Sequence, residues 1–497
     1  MKIISLTIDG YKKFHPSITV AFNKDINLLI GINGSGKSSI FEAVAIIFSE
    51  VKKYCQDGLL QERRFGFTIS YSYITRATID ETSNTIETKT SINLIQLSSS
   101  KESGLEYTMA VNGRILNTAS EMLEYLPDNL VFYYAGFCDT LKEIVQEAEA
   151  KQAEKLRTNK AQASIPKLLS KQIIYIKRKH FPLLFLLNYI GQNSFTLPLT
   201  ATKYKFQKFT IYLKKPESFK SNDHLNFYGL TGFLRKYLDN LLIYSRPLPE
   251  NGEGNRIPLE VDFDLGFISA LEDLGGWVDK HYSNNQNYLL FHIFNLLFQV
   301  DLVDSIDILI RKDDDDGRTI IDIEDLSEGE QQLITIGAIK KVLCLGNSIL
   351  VLDEPDAFLH PQRQRDLIPH LQEIFTESDN QIILATHSPF VAQSIDFHNI
   401  TLFESNGQIR RIENQVLDYK AVNDVLFGVD ERFSETIEHK LSEFNEYRDK
   451  IFQNAHVNKV ELKSLVLEIE GFGEETAIII ARELAQLQRL KNFDLNG

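Results

Sequence analysis

Ile30 to Ile40 reads I-G-I-N-G-S-G-K-S-S-I. Gly31, Gly36, Lys37 and Ser38 satisfy the phosphate-loop pattern G-x-x-x-x-G-K-[ST] without a mismatch. The flanks agree. Asn27 to Ile30 (N-L-L-I) is the short apolar run of a buried strand, and Ser39 to Phe48 carries apolar residues at helical spacing. A strand therefore feeds a glycine-rich turn that opens a helix. In such a turn the backbone around Asn33, Gly34, Ser35, Gly36 and Ser39 approaches a phosphate, helped by the positive end of the helix. Lys37 is expected to neutralise the β and γ phosphates, and the Ser38 hydroxyl to ligate Mg²⁺.

The chain has 497 residues, room for about three domains, and 43% hydrophobic residues supply a sizeable core. Its three cysteines, Cys55, Cys138 and Cys344, lie far apart with no C-x-x-C, so neither a disulfide framework nor a cysteine zinc site is indicated. The first ten residues alternate like a strand and include Asp9, unlike a signal peptide. The apolar run Phe181 to Ile190 is too short to span a bilayer. We expect a cytoplasmic protein with no membrane partner.

Charge is unevenly spread. Lys151 to Lys220 holds fifteen Lys/Arg against two acids, Glu154 and Glu217; this local +13 leaves −28 on the remainder of a chain whose total is −15. Lys177 and Arg178 stand near Tyr175 and Phe181, and Lys203, Lys205 and Lys208 are interleaved with Tyr204, Phe206 and Phe209. Cations can follow a phosphate backbone while aromatics stack on bases, so these five basic residues are candidates for contacting DNA or RNA. A basic face docked on the acidic remainder of the chain is the alternative, and the sequence leaves both open.

Strands are expected at Lys2–Ile8, Ser17–Phe22, Phe65–Thr75, Thr85–Leu97, Leu105–Val111 and Leu130–Tyr134. From Asp139 the pattern turns polar and helical, and Asn222 to Val300, with the only tryptophan, Trp277, reads as largely helical. Ser305–Arg311 and Thr319–Ile323 read as strands joined by D-D-D-D-G, Asp313 to Gly317. A calcium loop fails there on register, because it puts Lys312 and Ile323 at ligand positions. Beyond Leu417 two helices are expected, Phe433–Gln453 and Lys459–Lys491.

Three further stretches answer the phosphate loop. L-S-E-G-E-Q-Q, Leu326 to Gln332, precedes the helical run Leu333–Leu343. I-L-V-L-D-E-P, Ile349 to Pro355, is an apolar strand ending in two carboxylates. I-I-L-A-T-H-S-P, Ile382 to Pro389, is another, ending in a histidine. Asp353 is placed to hold Mg²⁺ through water, Glu354 to act as general base on the attacking water, and His387 to sense the γ-phosphate.

Taken together, these four motifs resemble the ATP-binding-cassette ATPases, and more narrowly the RecF/SMC-like branch of the AAA-type ATPases. The resemblance implies ATP and Mg²⁺ as cofactors. It also implies a homodimer in which Ser327, Glu328 and Gly329 bind the nucleotide of the opposite subunit, with assembly into higher oligomers left open. The arms are too short for SMC proteins, and no paired acidic motif follows His387 as in the overcoming-lysogenisation-defect nucleases. The compact layout is similar to Septu PtuA-like and retron-associated phage-defence ATPases. That implies a separate HNH-type nuclease partner and, in retrons, a reverse transcriptase with its DNA. No equivalent of the family's Q-loop glutamine stands out, Gln56 and Gln61 being weak candidates.

The expected fold is α/β: an ABC ATPase head, with a mixed sheet around the phosphate loop plus an antiparallel β lobe, bearing a helical insertion and a short helical C-terminal tail. The boundaries are 1–138 for the N-terminal ATPase lobe, 139–300 for a mainly helical insertion containing the basic segment, 301–417 for the C-terminal ATPase lobe, and 418–497 for a partner-binding tail. The expected function is ATP hydrolysis in the regulatory subunit of a defence complex. A RecF-like repair ATPase and an ATP-clamped, non-catalytic scaffold are the alternatives.

Overall fold

In the computed structural model the described residues run from 1 to 495, less 59–64, 81–85, 100–106, 137–139, 147–170, 199–201, 218–226, 241–244, 248–255, 262–285, 314–317, 376–378, 396–398, 405–407, 412–433 and isolated positions such as 33. They divide into two compact units, Met1–Val416 and Leu417–Gly497.

A seven-stranded sheet carries the phosphate loop. Its spatial order is β19 (Ile409–Arg411), β18 (Ile400–Phe403), β3 (Ile26–Gly31), β17 (Gln381–Ala385), β16 (Ser348–Asp353), β8 (Asn129–Tyr134) and β9 (Gln172–Ile176). All neighbours pair in parallel except β18 and β19. β3, β16 and β17 are buried at every position, which is why they read as unbroken apolar runs rather than alternations. The register sets Leu29 beside Ala385, Ala385 beside Asp353, and Asp353 beside Tyr134. Four strands thus end level at one carboxyl edge, the usual ligand edge of an open α/β sheet.

The second sheet is antiparallel, in the order β2 (Ile18–Ala21), β1 (Lys2–Asp9), β4 (Gly66–Asp80), β5 (Ile86–Ser99), β6 (Thr108–Val111) and β7 (Arg114–Ile115). Helix α1 (Lys37–Asp57) joins the two sheets in one apolar core. Ile40, Phe41, Val44, Ile47 and Phe48 of α1 are buried together with Ile69 and Tyr71 of β4 and Val351 and Ile383 of the central sheet. The expected antiparallel lobe is therefore present, its strands lying close to the stretches read from alternation. A short helix α2 (Ala119–Glu124) opens on a Thr118–Glu121 capping box and leads to β8.

The segment 139–300 departs from expectation. Residues 140–146 are helical, but the described part also holds β9, β10 (Phe195–Thr196), β11 (Lys203–Lys214), β12 (Ser245–Pro247) and β13 (Arg256–Val261). A third sheet runs β12-β13-β11-β14-β15, with β14 at Val303–Lys312 and β15 at Ile320–Asp322, and β10 pairs with β11. Lys203–Lys214 was weighed for its charge, whereas its period is that of a strand: Tyr204, Phe209, Ile211 and Leu213 are buried and the lysines lie between them. A register shift between Phe206 and Lys208 restores the inward phase. Longer helices among the described residues of the segment include α3 (Phe181–Tyr189) and α4 (Gln286–Gln299). Trp277, the D-D-D-D-G turn after Asp313, and residues 151–170 of the basic segment lie outside the described residues.

Four helices follow in the first unit and the start of the second. α5 (Glu328–Leu343), α6 (Pro361–Ile374) and α7 (Pro389–Gln393) alternate with β16 and β17, and α8 (Glu435–Phe452) begins the second unit. That unit continues with α9 (Lys459–Glu470) and α10 (Glu474–Lys491), around a core that includes Phe444, Leu462, Leu465, Ile469, Ile480 and Leu487. One helix had been expected over Lys459–Lys491. The overlooked signal is G-F-G: Gly471 caps α9 and Gly473, at φ 148°, turns the chain into α10. Among the described residues no helix is long and apolar enough to cross a membrane.

A buried polar node ties β8 to two helices. Asn129 Nδ2 donates to the Leu343 carbonyl at 2.9 Å, and the Tyr288 hydroxyl donates to Asn129 Oδ1 at 2.9 Å. Asn129→Leu removes both bonds at once, at about 1–3 kcal/mol for each group it strips of a partner. We expect its urea midpoint to fall well below that of Tyr288→Phe, which removes one bond of the pair. Equal midpoints for the two variants would show that the node does not couple these elements.

Candidate active site

The carboxyl edge of the central sheet gathers the residues singled out from sequence. Gly31 ends β3 where a Cβ would lie 2.5 Å from the Phe403 carbonyl and 2.7 Å from Ser35 Oγ, so close approach demands glycine. Gly36 precedes α1 at φ 114°, a conformation L side chains rarely adopt. Ser35 is buried with an unpartnered Oγ. Asn33 lies outside the described residues.

Lys37 opens α1 at 5% exposure. Its Nζ donates to the Gly31 carbonyl at 2.7 Å and lies 2.8 Å from His387 Nε2. Burial lowers its pKa to about 8, against the opposing pull of Glu354 and Asp353. Ser38 Oγ donates to Asp353 Oδ2 at 3.1 Å, linking the end of the loop to the end of β16. Asp353 is 3% exposed; burial raises its carboxyl to about 6, opposed by the Ser38 hydrogen bond and by Lys37.

Glu354 leaves β16 at φ 52°, a strained conformation for a side chain of this type. Its backbone N–H donates to the Ala385 carbonyl at 2.9 Å, pinning the turn to β17. Burial first, then the charges of Asp356 and Asp353, push its carboxyl up to about 7. A base in that range suits proton abstraction near neutrality. His387 follows β17 with Nε2 3.3 Å from Glu354 Oε1. Burial and the Lys37 charge lower its pKa to about 4. It is therefore neutral near pH 7, its Nε2 accepts from Lys37, and the contact with Glu354 is no ion pair.

The residues present fit a Mg²⁺-bound nucleoside triphosphate. The glycine turn leaves room for phosphate, the Ser35 hydroxyl awaits a partner, Lys37 carries the neutralising charge, and Ser38 with Asp353 offers adjacent oxygen donors of the hard type Mg²⁺ prefers.

Ser327 caps α5 in a capping box with Glu330: its Oγ donates to Glu330 Oε2 at 2.7 Å and its N–H to the same oxygen at 3.1 Å. Ser327 and Glu328 are exposed, while Gly329 packs near Phe358 and Leu359, where a Cβ would meet both at 3.3 Å. The signature thus touches the loop that follows the carboxylates. Of the glutamines considered, Gln56 is exposed near the end of α1 and Gln61 lies outside the described residues.

Two further residues complete the site, and of these only Gln364 escaped sequence reading. Asp356 is buried, and burial pushes its carboxyl up to about 6. Gln364, on α6, accepts from Ser388 Oγ at 2.6 Å and donates to the carbonyls of Asp356 and Leu359, so it ties His387's flank to the same loop. A glutamine on an exposed-looking amphipathic helix carries no distinguishing pattern.

The basic candidates separate. Lys177 and Arg178 follow β9 at the carboxyl edge, whereas Lys203, Lys205 and Lys208 lie on β11 in the third sheet. Lys205 pairs with Asp313 at 2.5 Å and Lys208 with Glu260 at 2.7 Å. Lys171 donates to Asp128, Tyr73 and two carbonyls. The expected base-stacking aromatics are core: strand alternation turns Tyr175, Tyr204 and Phe209 inward, and Phe181 is buried at the start of α3.

A family model for the AAA ATPase domain matches residues 1–392. The chain belongs to that family. It is 28% identical over 193 residues to the Retron Ec83 probable ATPase of Escherichia coli, covering 36% of this chain and 35% of that protein. It is 29% identical over 161 residues to the OLD nuclease of Thermus scotoductus, covering 31% and 27%. The chain thus spans about a third of the length of these relatives. Among solved structures, the SMC head domain from Thermotoga maritima aligns over 83% of this chain and 100% of that one, at 14% identity and a TM-score of 0.33. Membership in the family agrees with the α/β ATPase architecture described above.

Asp356 gives a pH test. Its pKa rises on folding from 3.8 to about 6, so the fold favours the protonated acid, and ionisation removes stability as pH climbs through that window. The penalty is complete above about pH 6 and fades toward pH 4. In chelator, Asp356→Asn should melt higher than the parent at pH 8, by about 1–3 kcal/mol, with the gain shrinking as pH approaches 4. A gain independent of pH would show that the carboxyl is not the source.

Proposed function

We propose that this chain hydrolyses MgATP in a site shared by two copies of itself, and that it is the cytoplasmic regulatory subunit of a phage-defence complex with a separate nuclease. The observation that carries the reading is the convergence of Lys37, Ser38, Asp353, Glu354 and His387 at one sheet edge, linked by direct contacts. Lys37 and the loop amides hold the phosphates. Ser38 and Asp353 would hold Mg²⁺, which when bound neutralises the phosphate charge. Glu354 takes the proton of the attacking water, and once Lys37 turns to phosphate, neutral His387 can carry its proton on Nε2 and donate it to the terminal phosphate.

Exposed Ser327 and Glu328 favour the shared site, since a signature turned to solvent is available to a second copy. Similarity to a retron ATPase supports the defence setting and, with it, a nuclease of the HNH type and a nucleic acid with or without a reverse transcriptase. The second unit suits partner binding: Val460, Leu467, Ile478 and Leu490 are exposed apolar residues on its helices. Of the basic candidates, Arg178 and Lys203 remain the better nucleic-acid contacts, as Lys205 and Lys208 are already paired.

Lys37→Ala should weaken MgATP binding at least about 30-fold, since losing a buried charge partner costs about 2–5 kcal/mol. Glu354→Gln should bind ATP as the parent does and hydrolyse it about 10²–10⁴ times more slowly. Calorimetry and steady-state phosphate release measure both. Parent-like turnover in Glu354→Gln would remove it as the base.

Ser327→Arg tests the shared site. The variant should bind ATP and fail to turn it over. Mixed with Lys37→Ala it should regain activity, because the mixed dimer has one site with an intact loop and an intact signature. Turnover by Ser327→Arg alone at the parent rate would rule out the sharing.

A further inference from the structure

A cavity of about 510 Å³ opens at the carboxyl ends of β8 and β9, beside the first turns of α5. That size falls within the range of small-molecule sites, roughly 300–1,000 Å³. Its lining is unlike ordinary surface. Gln332 lines it at 2% exposure, and neither Oε1 nor Nε2 has a hydrogen-bond partner. Buried amides are rarely left so, because an unmet donor or acceptor costs about 1–3 kcal/mol. Among the described residues, four lining side chains are cations, Lys142 and Lys177 to Lys179, against one carboxylate, Glu328. Arg178 is exposed and makes no ion pair among the described residues. The half-buried rings of Tyr133 and Tyr134 supply flat apolar walls.

These features specify one ligand chemistry. The cations call for phosphate. The rings call for a flat partner. The amide offers one acceptor and two donor hydrogens, which matches the mixed donor–acceptor edge of a nucleobase. We propose that this cavity is a second nucleotide site, separate from the phosphate loop, that takes a nucleoside monophosphate either free or as the 5′ end of a strand. The position agrees: it lies on the same ligand edge of the sheet, over β8 and β9 rather than β3. The proposal does not depend on ATP hydrolysis.

The full-length Lys37→Ala chain removes the competing loop from the measurement. Into it we would titrate AMP, CMP, a short 5′-phosphorylated oligodeoxythymidine, its 5′-hydroxyl counterpart and inorganic phosphate, by calorimetry. Saturable binding of the monophosphates supports a free nucleotide. Binding of the phosphorylated strand, with loss on removing its phosphate, supports a strand end. In either case, adding Arg178→Glu or Gln332→Leu should weaken binding at least about tenfold. Gln332→Leu should melt no lower than its parent, since it replaces an unsatisfied amide, so a loss of binding there is not a loss of fold. In the otherwise unaltered chain, Gln332→Leu should leave MgATP affinity within about twofold. Three results would overturn the site: no saturable binding, inorganic phosphate as tight as nucleotide, or both substitutions without effect.

Discussion

Parallel pairing of β3, β17, β16 and β8 is the constraint on which the site depends. Parallel strands cannot be joined by hairpins, so each motif arrives from a different part of the chain. The phosphate loop lies more than 300 residues of sequence from the carboxylates and the histidine, and register brings all three level. A slip of one residue in any pair would reverse the facing of every side chain beyond it. Full burial of β3, β16 and β17 guards against that, because both faces are committed to core.

The second constraint is electrostatic. Asp353, Glu354 and Asp356 are crowded within four positions and largely buried, and each carboxyl is pushed up in pKa. Lys37 is the nearby cation that opposes this for Asp353 and Glu354, at the expense of its own pKa. Acids and base are thereby drawn toward neutrality, where small changes in local charge move protons. A divalent cation at Asp353 would lower the carboxyls, and a phosphate at Lys37 would restore its charge. Substrate and site thus each supply the charge the other lacks.

The head was legible because its signals are local and redundant. The loop reads as strand, glycine turn and helix at once, and β16 and β17 declare themselves by unbroken apolar runs ending in D-E and T-H. The third sheet was missed because charge drew attention away from period. In Lys203–Lys214 the same lysines that suggested a nucleic-acid face are the outward half of an alternating strand. The positive φ of Glu354, the Gln364 bridge and the unpartnered Gln332 have no sequence signature, since each depends on what the fold places opposite it. G-F-G at Gly471 to Gly473, like the period of Lys203–Lys214, is a plain local signal.

Lys37 shows how the architecture keeps the loop formed. Its ammonium donates to the Gly31 carbonyl at the start of the loop and to His387 at the end of β17. One side chain therefore closes the turn on itself and ties it to a second strand. The hydrogens it uses are the ones a phosphate would take. Exchanging a carbonyl and a neutral imidazole for an anion replaces hydrogen bonds to neutral acceptors with ones to an opposite charge. The same exchange frees His387 Nε2, 3.3 Å from Glu354, to report on whatever occupies the space between them. Under the proposed function, binding and sensing would then follow from one displacement rather than from two separate devices.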